Sequence, residues 1–236
     1  MLNHAERLVV KTKSPPRIVI IPDTHHPFTD YKALEQVYKY IKKFQPTHVI
    51  QIGDLYDFYT FSSFSRSVDF ITPAQELQQA RAGGVEMWRR ITQLSPTSQK
   101  YQLLGNHERR IFKKLMTQAP EYESITNINA LFQFDGVRSF LSDRSELVIN
   151  DVVFMHGYSG SIGYHMRYFR TPVVHGHTHR GGCVFEAAHG KALYELDCGH
   201  LVNVDTTPFN YTETKTTKWL QGFGVIDEQG PRFIAL

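Results

Sequence analysis

The 236-residue chain reads as an α/β protein, with a parallel or mixed sheet that carries helices on its faces and a second sheet packed against it. Three observations carry that reading. Between Arg17 and Leu104, β-branched runs alternate with stretches of helical periodicity. From Glu146 onward, short strand-like runs follow one another. Four of five polar clusters lie directly after strand-like runs, where open α/β sheets place functional groups.

Residues 1–16 end in Ser14-Pro15-Pro16, which fits neither a helix interior nor a central strand. They are expected as a tail or an edge element, and residues 17–236 as one domain. Arg17–Ile21 is a buried strand stopped by Pro22. Tyr31–Phe44 places apolar residues at 34, 37, 38, 41 and 44, a helical spacing, with Asp30 positioned as N-cap. Val49–Ile52 is a second strand, Pro73–Leu94 a longer helix, and Tyr101–Leu104 a third strand. Glu108–Met116 reads as helix, and 117–145 as irregular helix and loop. Strands are then expected at Glu146–Ile149, Val152–Met155, Pro172–Val174, Val184–Ala187 and Ala192–Leu196, with Asn150-Asp151 as the turn between the first two. Phe223–Ile226 and Arg232–Ala235 flank a turn and suggest a closing hairpin. A second sheet is the simplest use of these later strands.

Hydrophobic residues make up 41% and charged residues 21%, enough apolar side chain for a core of its own. Cys183 and Cys198 match no zinc or redox spacing and read as small buried apolar residues. The formal charge of +3 permits an anionic substrate without announcing nucleic acid. No run of ~18 apolar residues suits a membrane span, and residues 1–16 lack an apolar secretory core, so a cytoplasmic location is expected.

The five clusters are Asp23-Thr24-His25, Gly53-Asp54, Gly105-Asn106-His107-Glu108, His156-Gly157 and Gly176-His177-Thr178-His179. Each is weak alone, because polar turns after strands are common. Together they gather oxygen and imidazole donors at rigid strand ends, and such donors bind divalent metal. The set has no thiolate, which suits manganese, iron, zinc or nickel, with manganese favoured. Two ions sharing one carboxylate generate hydroxide from water at neutral pH and neutralise phosphate oxygens under in-line attack. A nearby imidazole protonates the leaving alkoxide.

The order and spacing of these motifs resembles the calcineurin-like metallophosphoesterase superfamily across roughly residues 17–200. The resemblance implies a four-layer αββα sandwich of two mixed β-sheets flanked by helices, with two divalent ions at one edge. It implies that Asp23, His25 and His179 hold one ion, that Asn106, His156 and His177 hold the other, and that Asp54 bridges. His107 then faces the substrate as acid. Neutral Asn106 supplies oxygen without charge, keeping the site attractive to an anion. Asp57 is expected to hold the His107 tautomer or to cap a helix, and Glu108 to orient His107 or cap the next helix.

Other features carry two readings each. His26 is a loop residue or supports the ligands, or it touches substrate. His175 supports the ligands or is a satisfied buried residue. Arg109, Arg110, Lys113 and Lys114 form a solvated helix face or contact phosphate. Phe58, Tyr59, Phe61, Phe64 and Arg66 pack under a loop or stack on substrate, and Tyr164, Arg167, Tyr168 and Arg170 pose the same question. Protein phosphatases that look like this family carry Gly-Asp-x-x-Asp-Arg-Gly and Arg-Gly-Asn-His-Glu. Here Phe58 and Leu104 replace the two arginines. A dianionic monoester loses most of its grip, so the expectation moves to a phosphodiesterase acting on nucleic acid or a nucleotide. A broad phosphomonoesterase is the alternative enzyme, and a non-catalytic metal-binding scaffold of the same fold is the alternative outside enzymes. The sequence leaves the oligomeric state open.

Overall fold

In the computed structural model, residues 5–63, 70–121, 127–188, 190–212 and 218–236 are described. Among them, in chain order, lie β1 (Arg7–Val10), β2 (Ile18–Ile21), α1 (Tyr31–Phe44), β3 (His48–Gln51), α2 (Pro73–Leu94), β4 (Gln99–Gln102), α3 (Glu108–Gln118), β5 (Arg138–Ser139), β6 (Glu146–Ile149) and β7 (Val152–Phe154). There follow α4 (Tyr164–Phe169), β8 (Val173–His175), β9 (Gly182–Ala188), β10 (Lys191–Asp197), β11 (Gly222–Asp227) and β12 (Gly230–Ala235).

Two mixed six-stranded sheets result. One has the order β12-β11-β2-β3-β4-β5, the other β1-β6-β7-β8-β10-β9. Strands β2 to β5 run parallel, as helical crossovers require. The period of two along each strand divides the side chains between two cores. On β2, Val19 and Ile21 pack with Leu34, Val37, Met87, Trp88 and Phe112 beneath α1, α2 and α3. Ile18 and Ile20 face the other way, joining Ile50, Leu147, Phe154, Val174 and Leu196 between the sheets. The outer face of the second sheet buries Val148, Val153 and Val173 under Met166 of α4. The layers are therefore helix, sheet, sheet, helix: the four-layer αββα sandwich.

The expected helices are present because their local signals agree. Asp30 Oδ1 accepts the Lys32 and Ala33 amides at the start of α1. Thr72 and Gln75 form a reciprocal capping box on α2, with Pro73 at its first position. Arg7–Val10 is the edge strand of the second sheet, paired with Glu146–Ile149, one of the two roles expected of residues 1–16. Other points differ from expectation. The closing hairpin β11–β12 joins the first sheet beside β2 rather than adding to the second. β4 lies two residues earlier than read, so Leu103 and Leu104 already belong to the loop that delivers Asn106. α4 and β5, six and two residues long, are too short to show a periodicity in the sequence. No helix among the described residues is long and apolar enough to cross a membrane.

Candidate metal centre

Five loops meet at one edge of the sandwich. Those after β2, β3 and β4 come from the first sheet, and those after β7 and β8 from the second. Backbone bonds lock them together: the Thr24 and His25 amides donate to the Asp54 carbonyl at 3.1 and 3.0 Å, and the Gly176 amide to the His156 carbonyl at 3.1 Å. Four of the seven expected ligands, His25, Asp54, His177 and His179, have left-handed backbone, with φ of 51°, 50°, 71° and 60°. Such strain persists where surrounding structure enforces it, and it clusters at functional sites. Two glycines make the close approach possible. A Cβ on Gly105 would lie 2.1 Å from Asp54 Oδ1, and one on Gly176 would lie 2.2 Å from Asp23 Oδ1.

The seven expected ligands converge. Single donor atoms of Asp23, His25 and His179 lie within 4.8 Å of one another, and so do those of Asp54, His156 and His177. His179 Nε2 is 2.9 Å from Asp23 Oδ2. Asn106 Oδ1 lies 3.0 Å from His156 Nε2 and 2.8 Å from His177 Nδ1. Asp54 Oδ1 accepts the His107 amide at 2.8 Å, which leaves Oδ2 facing inward, 3.3 Å from His156 Nε2 and 3.8 Å from His25 Nε2.

The residues fit divalent cations. His25 Nδ1 is bonded to the Asp57 carboxylate at 2.9 Å, which aims the other nitrogen, Nε2, at the centre. That nitrogen is buried and has no hydrogen-bond partner among the described residues. His156 Nδ1 lies 3.2 Å from the Ile52 carbonyl, so its Nε2 presents the lone pair to Asn106 and Asp54. Lone pairs thus face lone pairs around a buried point, an arrangement that a cation satisfies and neutral partners do not.

Electrostatics agree. Burial would lower the His156 pKa, but Asp54, Asp23 and Glu108 together push it up to about 10. In the metal-free site a proton on His156 does what a cation would do. Burial would raise Asp54, yet His156, His107 and His25 hold it well below the usual carboxylate range. Burial and the neighbouring His156 bring His177 down to about 4, leaving a neutral ring able to ligate.

Around the ligands, some expectations change. His107 is half-buried; its Nδ1 lies 2.9 Å from the Asp57 carbonyl oxygen and only 3.6 Å from the carboxylate. Asp57 therefore touches His107 chiefly through its backbone, and its carboxylate serves His25. Glu108 does not orient His107. Its Oε2 accepts the Asp54 and Gly105 amides at 3.1 and 2.7 Å, and its Oε1 the Tyr56 amide at 2.8 Å. It staples the Asp54 loop to the start of α3, because a carboxylate buried there must take up the free amides of both turns. Phe58 is wholly buried against Tyr56, Phe61 and Phe132, and Tyr59 is buried against Phe28 and Phe70, so neither presents a face to substrate. Phe64 and Arg66 lie outside the described residues. Arg109 is exposed and 3.5 Å from Asp143, whereas Arg110 turns inward. Its Nη2 donates to His107 Nε2 at 2.8 Å, and its Nη1 to the Asp57 carbonyl at 2.9 Å.

His26 is buried against Gly83 of α2, its Nδ1 2.9 Å from Thr29 Oγ1. His175 is also buried and satisfied, between Glu195 at 3.0 Å and the Gly176 carbonyl at 2.7 Å. Cys198 is buried, Cys183 half-buried, and both are free thiols. His200, which the sequence does not single out, lies 5.3 Å from His179 ring to ring, and Trp219 of the C-terminal segment lies 4.3 Å from it. Gly199-His200 repeats the pattern of a polar pair after a strand, and that signal would have found His200.

A family model described as calcineurin-like phosphoesterase matches residues 16–181. The chain is also 30% identical to the "Gene 54 protein" of Mycobacterium phage D29 over 241 residues, covering 91% of this chain and 89% of that protein. The "Gene 54 protein" of Mycobacterium phage L5 is likewise 30% identical, over 236 residues and with the same coverage. Motif order, four-layer architecture, convergent donors and the family match agree, and the chain belongs to the calcineurin-like phosphoesterase family.

Proposed function

We propose that the chain is a two-metal phosphodiesterase, with manganese as its favoured metal and a cytoplasmic setting. The observation that carries the reading is the clustering of Asp23, His25 and His179 and of Asp54, His156 and His177, with Asn106 Oδ1 against the second group and Asp54 Oδ2 3.3 Å from His156 Nε2 and 3.8 Å from His25 Nε2. Asp23, His25 and His179 would hold one ion, Asn106, His156 and His177 the other, and Asp54 both. Ions bound there supply Lewis acidity toward phosphate oxygens and lower the pKa of a shared water.

The chain's own residues do the rest. His107 is the general acid. Burial and the Arg110 guanidinium lower its pKa, but Asp54 and Asp57 outweigh them and raise it above the ordinary imidazole value. Arg110 now occupies His107 Nε2. In the productive complex its guanidinium turns to a phosphate oxygen, freeing Nε2 to carry the proton given to the leaving alkoxide. A single guanidinium matches the single charge of a diester. Arg110 is also the observation that favours the alternative, a broad phosphomonoesterase, because it restores one cationic contact.

Parallel assays with bis-p-nitrophenyl phosphate and p-nitrophenyl phosphate, in manganese, separate these readings. The diester should turn over faster. Faster monoester turnover would replace the diesterase reading, and no turnover of either would favour a non-catalytic scaffold.

A further inference from the structure

Phe58 and Tyr59, after Asp54, are buried, but an exposed aromatic set follows His156 in the chain and continues onto α4. Tyr158, two residues after His156, is 54% exposed; Tyr164 and Tyr168 on α4 are 43% and 67% exposed. Tyr164 and Tyr168 are stacked, with centroids 6.2 Å apart and planes 10° apart, and Tyr158 meets Tyr164 edge-on at 6.0 Å. Large rings are seldom left in water in a contiguous row unless something covers them.

Beside the row, a cavity of about 490 Å³ lies between α4 and the β9–β10 hairpin. Arg167, Arg170, Lys191 and Glu186 line it with Ala188 and Leu193. Glu186 pairs with Arg167 at 2.7 Å, so Arg170 and Lys191 are the two cations in excess of the lining carboxylate. Rings next to surplus positive charge match a chain of bases on a phosphate backbone, in which each base has a face to stack and each link one charge.

The row is also held in register with the centre. Glu195 Oε1 accepts the Gly163 amide at 2.9 Å and Oε2 the Met166 amide at 2.8 Å, which fixes α4. His175 Nε2 lies 3.0 Å from the same Oε1, and its Nδ1 bonds the Gly176 carbonyl, next to His177. Every polar atom of that buried network is engaged, so it serves as a strut rather than as a further metal site.

We infer that Tyr158, Tyr164 and Tyr168, with Arg170 and Lys191, form a track for single-stranded nucleic acid leading to the metal centre. This rests on the phosphodiesterase reading and names its substrate class. Duplexes keep their bases stacked on each other and gain little from such a row.

Fluorescence anisotropy with short oligodeoxythymidine, oligouridine and duplex DNA, in chelator to prevent cleavage, tests the track directly. The full chain should bind single strands more tightly than duplex, and the two single-stranded arms show whether DNA or RNA is preferred. Tyr164→Ala/Tyr168→Ala should weaken single-strand binding about 30-fold or more, two lost stacks at the lower end of their range. Arg170→Ala/Lys191→Ala should reduce the salt slope of single-strand binding by about 1.4. Neither variant should alter manganese-dependent turnover of bis-p-nitrophenyl phosphate. Equal single-strand affinity in wild type and tyrosine variant overturns the track. So does a tyrosine variant that alters only self-association in sedimentation, which would assign the row to a protein contact. Diester turnover without oligonucleotide binding sinks the track alone; tyrosine-dependent binding without diester turnover sinks the diesterase reading alone.

Discussion

Asp54 Oδ1 is taken by the His107 amide, and Oδ2 alone faces both halves of the centre. Asp54→Asn replaces a shared negative oxygen by a neutral amide, so manganese content measured by mass spectrometry should fall at both positions together. Retention of one ion would show that Asp54 serves only one side. His107 touches Asp57 and Arg110 through its ring and Asp54 through its amide. His107→Ala keeps that amide, so turnover should drop ~10²–10⁴-fold with metal content unchanged. The charge on His156 gives a pH test. With a pKa near 10, the metal-free ring carries a proton at neutral pH, and that proton must leave when an ion binds. Metal affinity should therefore rise with pH, about tenfold per unit below the His156 value. Calorimetry in two buffers of different ionisation enthalpy should report about one proton released by His156 per bound pair of ions at neutral pH. No buffer dependence would contradict the assignment. In the metal-free fold, the same charged pair adds stability fully present below the unfolded value of 6.5 and lost as pH rises through about 10.

At the scale of elements, Glu108 couples two of the five loops. Glu108→Gln keeps the size but offers one acceptor oxygen where two oxygens now take three amides. At least one buried amide is orphaned, at a cost of about 1–3 kcal/mol. Thermal unfolding should show a lower midpoint, and a fixed free manganese concentration should leave less metal bound; an unchanged midpoint would mean that the staple is dispensable. The sequence carried most of this level. Five apolar positions at helical spacing and Asp30 defined α1, whose bounds are Tyr31–Phe44 as read. The metal-binding motifs were visible because chemistry concentrates unusual residue types at strand ends. What failed to show was long-range. Glu108 and Asp57 look like local caps or orienters, and their actual partners come from neighbouring loops that only folding brings close. Phe58 and Tyr59 resemble a stacking pair because sequence cannot tell an exposed ring from one buried against Phe132 or Phe70.

For the whole molecule, the centre straddles a seam. Asp23, His25, Asp54 and Asn106 ride on one sheet, and His156, His177 and His179 on the other, with apolar packing between them. Bound ions therefore clamp the two sheets together. Saturating manganese, at 100 times its dissociation constant, should stabilise the fold by about 2.7 kcal/mol per site, and chelator should remove that gain in a melting experiment. Equal melting with and without metal would mean that the ions bind elsewhere or to the unfolded chain. The layered architecture followed from strand–helix alternation together with the family resemblance. The partner sheet of the closing hairpin did not, because β11 lies beside β2 through a pairing more than two hundred residues apart, between Gly224 and Ile20. Nothing in either run marks that contact. The most direct measurement of the central claim is anomalous diffraction from crystals grown with manganese. Two peaks should appear, one among Asp23, His25 and His179 and one among Asn106, His156 and His177, with Asp54 Oδ2 between them. A pocket without anomalous density at saturating metal, or density placed elsewhere on the molecule, would contradict it.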